Sequence, residues 1–175
     1  FHCAGLRKAD LHNTTTGNFL GMWTSDFPEI LKQRTEDSTM LATAGGSGIA
    51  SGRLSYALGM NGPCITVDVA SSSALAACNS GVRSLQEGEC VSACVSGIHI
   101  MFDPDTASLL RNVGLLQAHG RCYTWDHRAK GIVFGEAVVA VTISTKEPKE
   151  MQVCAVTVRQ DGRTAVITAP NGRAQ

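Results

Sequence analysis

Three consecutive hydroxyls, Ser71, Ser72 and Ser73, lie where a β-branched run, Ile65 to Val69, gives way to a helical pattern. A strand feeding a helix leaves the helix's first N–H groups without acceptors, and the helix dipole adds partial positive charge at the same point. Donors placed there can stabilise an oxyanion developing beside them, so the seam suits a nucleophile. It suits a helix N-cap equally well, a position that serine favours by about 1 kcal/mol. Residue type and spacing leave both roles open.

The other reactive side chains form no second constellation. The histidines His2, His12, His99, His119 and His127 are scattered along the chain, and each is expected in a structural or surface role. The seven cysteines form no C-x-x-C pair, and Cys64, Cys78 and Cys154 sit in apolar runs. That is how reduced thiols are used in an intracellular protein, and it places the chain in a reducing compartment, cytoplasm or plastid. Cys90 and Cys94 have no histidine cluster beside them, so no metal site is expected. Glu136, between two apolar segments, is expected to act as a structural hydrogen-bond acceptor. In "GGSG" an isoleucine, Ile49, stands where a nucleophile elbow needs its last glycine. The spacing of Gly46, Gly48 and Gly52 fails the dinucleotide fingerprint, and no phosphate-loop lysine or S-x-x-K is present.

The elements that must position the serines alternate between strand and helix, which argues for an α/β class. "NFLGMW" reads as a buried strand and "FPEILKQR" as a short helix with Pro28 in its first turn. A helix in "GGSGIASGRLSYALG" is expected to have Ser47 as N-cap and Gly59 as its stop. Gly62 and Pro63 break the chain before the strand Ile65 to Val69. Leu75, Cys78, Val82 and Leu85 recur at helical spacing and predict an apolar face, with Gly88 as the left-handed stop. "VSACVSGIHIMF" predicts a strand buried on both faces, Asp103 and Pro104 a helix ending near Gly114, and "GEAVVAVTIS" a further strand. "VCAVTVRQDGRTAVIT" predicts two strands joined at Asp161-Gly162.

Composition excludes several partners. Lys plus Arg balances Asp plus Glu, so there is no basic footprint for nucleic acid or anionic lipid. No stretch reaches the roughly 18 apolar residues of a membrane span. Charged residues make up 17%, against about 25% in ordinary soluble domains, so part of the surface is expected to be covered. Residues 1–175 read as one compact unit, with both ends cut inside a larger domain.

The motifs carry a resemblance. "GPCITVDVASSSALAA" resembles the active-site segment of β-ketoacyl synthases, usually V-D-T-A-C-S-S-S-L. "TGNFLGM", "ATAGGSGIASGRLSYALGMNGP", "FDPDTASLLRNVGLLQAHGRCYTWD", "GIVFGEAVVAVTI" and "RQDGRTAVITAPNGRAQ" are similar, in order, to further segments of that family. The resemblance implies a thiolase-like α/β fold with α-β-α layering, of which this chain would be the N-terminal half and the start of the C-terminal half. It implies acyl transfer from an acyl carrier protein and decarboxylative condensation with malonyl units, in polyketide or fatty acid synthesis. The acyl groups arrive on the carrier's phosphopantetheine, so no cofactor of the domain itself is expected. A homodimer or heterodimer of ketosynthase domains is implied as well, paired through the strand before the nucleophile.

Ser71 falls where the family has its nucleophilic cysteine, and it should sit in an enclosed, lipid-like slot. A thiol at a helix N-terminus can be ionised at neutral pH, whereas a hydroxyl there stays protonated without a neighbouring base. The family's two catalytic histidines belong to motifs outside this chain, and none of its own histidines can be carried onto them. Condensation by Ser71 is therefore expected to be impaired. The rivals are a non-catalytic or decarboxylating ketosynthase-like partner subunit and, more remotely, a serine hydrolase. Val69, Ala74, Lys130, Arg159 and Arg173 are further departures from the family's usual residues.

Overall fold

The computed structural model describes residues 1–23, 26–32, 41–117, 119–146, 151–166 and 169–173. Its centre is a four-stranded sheet in the order β2-β1-β3-β4. Strand β1 (Thr16–Met22) lies parallel to β2 (Cys64–Val67) and β3 (Ser92–His99), while β4 (Ala137–Ser144) runs antiparallel to β3. Phe19 is in register with Ile65 on one side and Val95 on the other. Short helices α1 (Lys8–Leu11), α2 (Phe27–Lys32) and α3 (Leu41–Ala44) precede the longer α4 (Ser47–Leu58). Helix α5 (Ser73–Gln86) links β2 to β3, and α6 (Pro104–Asn112) follows β3.

Alternate residues of β1 serve the two faces of the sheet. Asn18 reaches α4, where its side-chain amide donates to the Ser51 carbonyl at 2.7 Å, and Thr66 of β2 donates to the Ser51 hydroxyl at 2.8 Å. Phe19, fully buried, faces α5 and heads a core of Ala77, Leu85, Cys90, Ala93 and Val95. Four successive β3 residues, Ala93 to Ser96, are buried, as the apolar run predicted. Among the described residues no helix is long and apolar enough to cross a membrane.

Asn18 buries a carbonyl oxygen with no hydrogen-bond partner among the described residues. A lone buried acceptor is costly, and the Ser51 carbonyl it serves already lies inside a helix. Asn18→Val is therefore expected to change stability by less than about 1 kcal/mol, read as the midpoint of denaturant unfolding. A loss well beyond that would show the amide to be needed.

Several sequence expectations need correction. Helix α4 is capped by Gly46 rather than Ser47, without a side-chain cap; Gly59, at φ 71°, ends it as expected. Strand β2 stops at Val67, two residues early, because the Asp68 carboxylate takes the Ala70 N–H at 3.2 Å and turns the chain. The buried face of α5 is Ser73, Ala77, Gly81, Ser84 and Leu85; Leu75 is 72% exposed. Small side chains win that face because the helix lies so close to the sheet. A Cβ on Gly81 would come within 3.0 Å of Val95 and 3.2 Å of Phe19. The hairpin expected around Asp161-Gly162 is absent among the described residues, since residues 151–166 hold no strand; residues 167–168 of that expectation lie outside them. Two strands with no third to pair with are marginal. Asn171 instead bonds to Asp161 through its N–H and its side-chain amide, both at 2.9 Å.

Candidate active site

Strands β1, β2 and β3 are parallel, so their C-terminal ends open on one edge of the sheet. That edge carries the serine turn after β2. Ala70 has φ 53°, in the left-handed region. Such a backbone costs a non-glycine residue about 1–2 kcal/mol. The turn is held by its neighbours' hydroxyls. Ser72 donates to the Val69 carbonyl at 2.9 Å, and Ser73 to the Ala70 carbonyl at 2.6 Å. Ser73 also accepts the Val69 N–H at 2.9 Å and is 3% exposed.

The three serines thus divide their work. Ser72 occupies the N-cap position of α5 without a side-chain cap bond, and Ser73 is the first helical residue. Ser71 stands just outside, exposed, and no hydrogen bond engages its hydroxyl among the described residues. The Ser73 N–H is taken by the Ala70 carbonyl at 3.0 Å. The Ala74 and Leu75 N–H groups have no acceptor among the described residues, which leaves two main-chain donors at this end of the helix.

Two strand glycines let the helix start sit directly on the sheet. A Cβ on Gly21 of β1 would lie 2.4 Å from the Ala74 nitrogen and the Ser73 carbonyl carbon. One on Gly97 of β3 would lie 2.8 Å from the Ala74 Cβ. Alanine at 74, where the resemblance expects serine, fits that narrow gap.

Among the described residues Ser71 is exposed, not set in the enclosed slot expected around it. A cavity of about 190 Å³ does open near the ends of β1 and β3, lined by Trp23, Asp26, His99, Leu110, Ile132 and Phe134 among others, without Ser71. His99 stacks on Trp23 with centroids 6.3 Å apart, and its Nδ1 lies 2.8 Å from the Gly135 carbonyl oxygen. Glu136 accepts the Met101 N–H at 2.8 Å, the structural role expected of it. No hydrogen bond joins any of the five histidines to Ser71 among the described residues. A hydrolase would need such a base within about 3 Å. Burial pushes the Cys78, Cys90 and Cys94 thiols up, which keeps them protonated and inert. No group of three or more potential metal ligands exists among the described residues.

Asp26 escaped sequence reasoning. Its buried carboxylate accepts the N–H groups of Phe102 and Asp103 at 3.1 and 3.2 Å, tying the end of β1 to the start of α6. Asp103 in turn caps that helix by accepting from Asp105 and Thr106. Asp26→Ala leaves two main-chain donors without their acceptor and is expected to cost about 2 kcal/mol, read as a shift in the unfolding midpoint. An unchanged midpoint would show that water replaces the carboxylate freely.

Residues 1–149 match the model of the β-ketoacyl synthase N-terminal domain. The chain belongs to the β-ketoacyl synthase family. Among relatives of this ketosynthase chain, the highly reducing polyketide synthase frbB of Dothideomycetidae sp. (strain 11243) is 34% identical over 183 residues, covering 100% of the chain and 7% of the relative. The polyketide synthase component of compactin nonaketide synthase from Penicillium citrinum is 33% identical, over 98% of the chain and 6% of the relative. Of solved structures, a cysteine-to-serine mutant of the ketosynthase from module 6 of the bacillaene synthase of Bacillus subtilis 168 superposes with a TM-score of 0.80 at 25% identity, covering 97% of the chain and 29% of that structure. The mixed sheet with helices on its faces is therefore the thiolase-like α/β fold of ketosynthases. The ketosynthase chain spans only 7% or less of these two synthases and under a third of the solved domain.

Proposed function

We propose that this chain is part of a single ketosynthase domain of a polyketide synthase, in which Ser71 holds the nucleophile position. A carrier's phosphopantetheine thioester would deliver the acyl group, and the domain would bring no cofactor of its own. One observation carries the reading: of three adjacent serines at the strand-to-helix seam, only Ser71 has a hydroxyl not engaged in holding the turn. With no base hydrogen-bonded to that hydroxyl among the described residues, acylation is slow and condensation impaired. The free thiols, buried and exposed alike, suit a reducing intracellular compartment. Strand β2 is a sheet edge, and its Ile65 is 41% exposed. An open edge of that kind supports pairing with a second ketosynthase domain, identical or not.

The test is the intact mass of the full-length protein after incubation with acyl-loaded carrier. An adduct should form on the Ser71→Cys variant and not on the native protein. A Ser71→Cys variant that takes up no acyl group sinks the reading. A second reading is favoured by the serine itself: a partner subunit that decarboxylates malonyl carrier without condensing. Release of CO2 by the native protein, with no chain extension, would select it.

A further inference from the structure

We infer that Ser73 is a positioning residue, a hydroxyl clamp that holds the Ala70 backbone left-handed and so aims residue 71 at the helix amides. The inference rests on the reading that Ser71 holds the nucleophile position.

Ser73 is 3% exposed, too deep to meet a substrate. Its hydroxyl spans the turn by donating to the Ala70 carbonyl at 2.6 Å and accepting the Val69 N–H at 2.9 Å. Its own N–H donates to the same Ala70 carbonyl at 3.0 Å, so three bonds from one residue hold the peptide unit before Val69 and the one after Ala70, bracketing the left-handed residue. The Ala70 backbone sits at φ 53°. Alanine resists that conformation, and without a restraint it would relax to negative φ. That rotation would swing residue 71 away from the Ala74 and Leu75 N–H groups. Ser72 offers no comparable hold, since it donates to the Val69 carbonyl alone and is exposed. Gly21 lets the Ser73–Ala74 backbone rest against β1, and Gly97 makes room for the Ala74 methyl against β3, so the clamp is anchored on the sheet.

The experiment uses the full-length protein carrying Ser71→Cys. Alkylation of residue 71 by iodoacetamide is followed against pH by peptide mass spectrometry, which separates it from the native cysteines. Ser71→Cys alone should react at neutral pH about tenfold faster than an unperturbed cysteine. If it behaves as an unperturbed cysteine, the reading of position 71 falls. Adding Ser73→Ala should slow the neutral-pH reaction about tenfold while leaving the alkaline limit unchanged, because the thiol loses its ionising environment and not its access. Adding Ala70→Gly as well should recover much of the rate, since glycine takes positive φ freely. A side chain that merely fills space would not be rescued from residue 70. A Ser71→Cys/Ser73→Ala protein with the profile of Ser71→Cys alone overturns the inference. If that protein fails to fold by circular dichroism, the Ala70→Gly triple variant decides. Recovery of the Ser71→Cys profile upholds the clamp, while an unperturbed-cysteine profile or a second failure to fold overturns it.

Discussion

Replacing Ser71 with cysteine in the full-length protein is expected to raise the rate of acyl loading by about 10²–10⁴-fold, the factor a general base usually contributes. On the proposed reading the native hydroxyl would have to lose its proton as it attacked the thioester carbonyl, and no base is bonded to it among the described residues. A thiol at the same helix terminus needs no such help, because the dipole and the free Ala74 and Leu75 N–H groups favour the thiolate before the substrate arrives. The variant's rate should therefore rise with pH through the thiol's pKa and then level off. The native rate should stay low across the range. The product matters too: a thioester is a far better acceptor for a carbanion than the oxygen ester that Ser71 would carry. Equal loading rates for the two proteins, measured by rapid quench and intact mass, would place the nucleophile elsewhere.

Gly21→Ala is expected to cost about 3 kcal/mol, the upper range for overpacking, and to abolish labelling at a thiol introduced by Ser71→Cys. The added methyl would meet the Ser73 and Ala74 backbone at 2.4–2.5 Å. Backbone cannot rotate aside as a side chain can, so the N-terminal turn of α5 must lift from β1. The turn that holds Ala70 and Ser71 lifts with it. The same change at Gly48, where nothing lies within 4 Å, should be nearly neutral or mildly stabilising. Hydrogen exchange of the peptide covering residues 69–78 reads the difference. A Gly21→Ala protein with native protection there would show the contact to be softer than its geometry implies.

Much of this was legible in the sequence, and the rest was hidden for identifiable reasons. The β1 and β3 strands, the Asp103-Pro104 helix start and the Gly59 and Gly88 stops follow from local chemistry, and all are present. Periodicity misread α5 because it assumes that the larger apolar residues face inward. Here the sheet lies so close that Gly81 and Ala77 take the inner face and Leu75 is left outside. A signal for this existed: glycines at 21 and 97 inside strands are a standard mark of close backbone approach. Asp26 had no such mark, since its partners lie about 76 residues away in sequence. The Asp161-Gly162 hairpin failed because alternation describes a strand's faces and says nothing about whether a neighbour exists to pair with it. At the site, the strand-to-helix seam that carries the serines was readable and the division of labour among their hydroxyls was not. Which hydroxyl is engaged depends on the left-handed Ala70, which no local rule foretold.

The central place of β1 bears on how the nascent polypeptide leaves the ribosome. Met22 ends this strand, yet its partner on one side begins at Cys64 and on the other at Ser92, some 70 residues later. At about 5–20 residues per second, translation leaves the middle of the sheet first unpaired and then half-paired, for about 4–14 s in all. A bare "NFLGM" ribbon in that interval is a target for chaperones and for mispairing with neighbouring chains. Synonymous codons that slow elongation between residues 22 and 92 are thus expected to lower soluble yield, and faster ones to raise it.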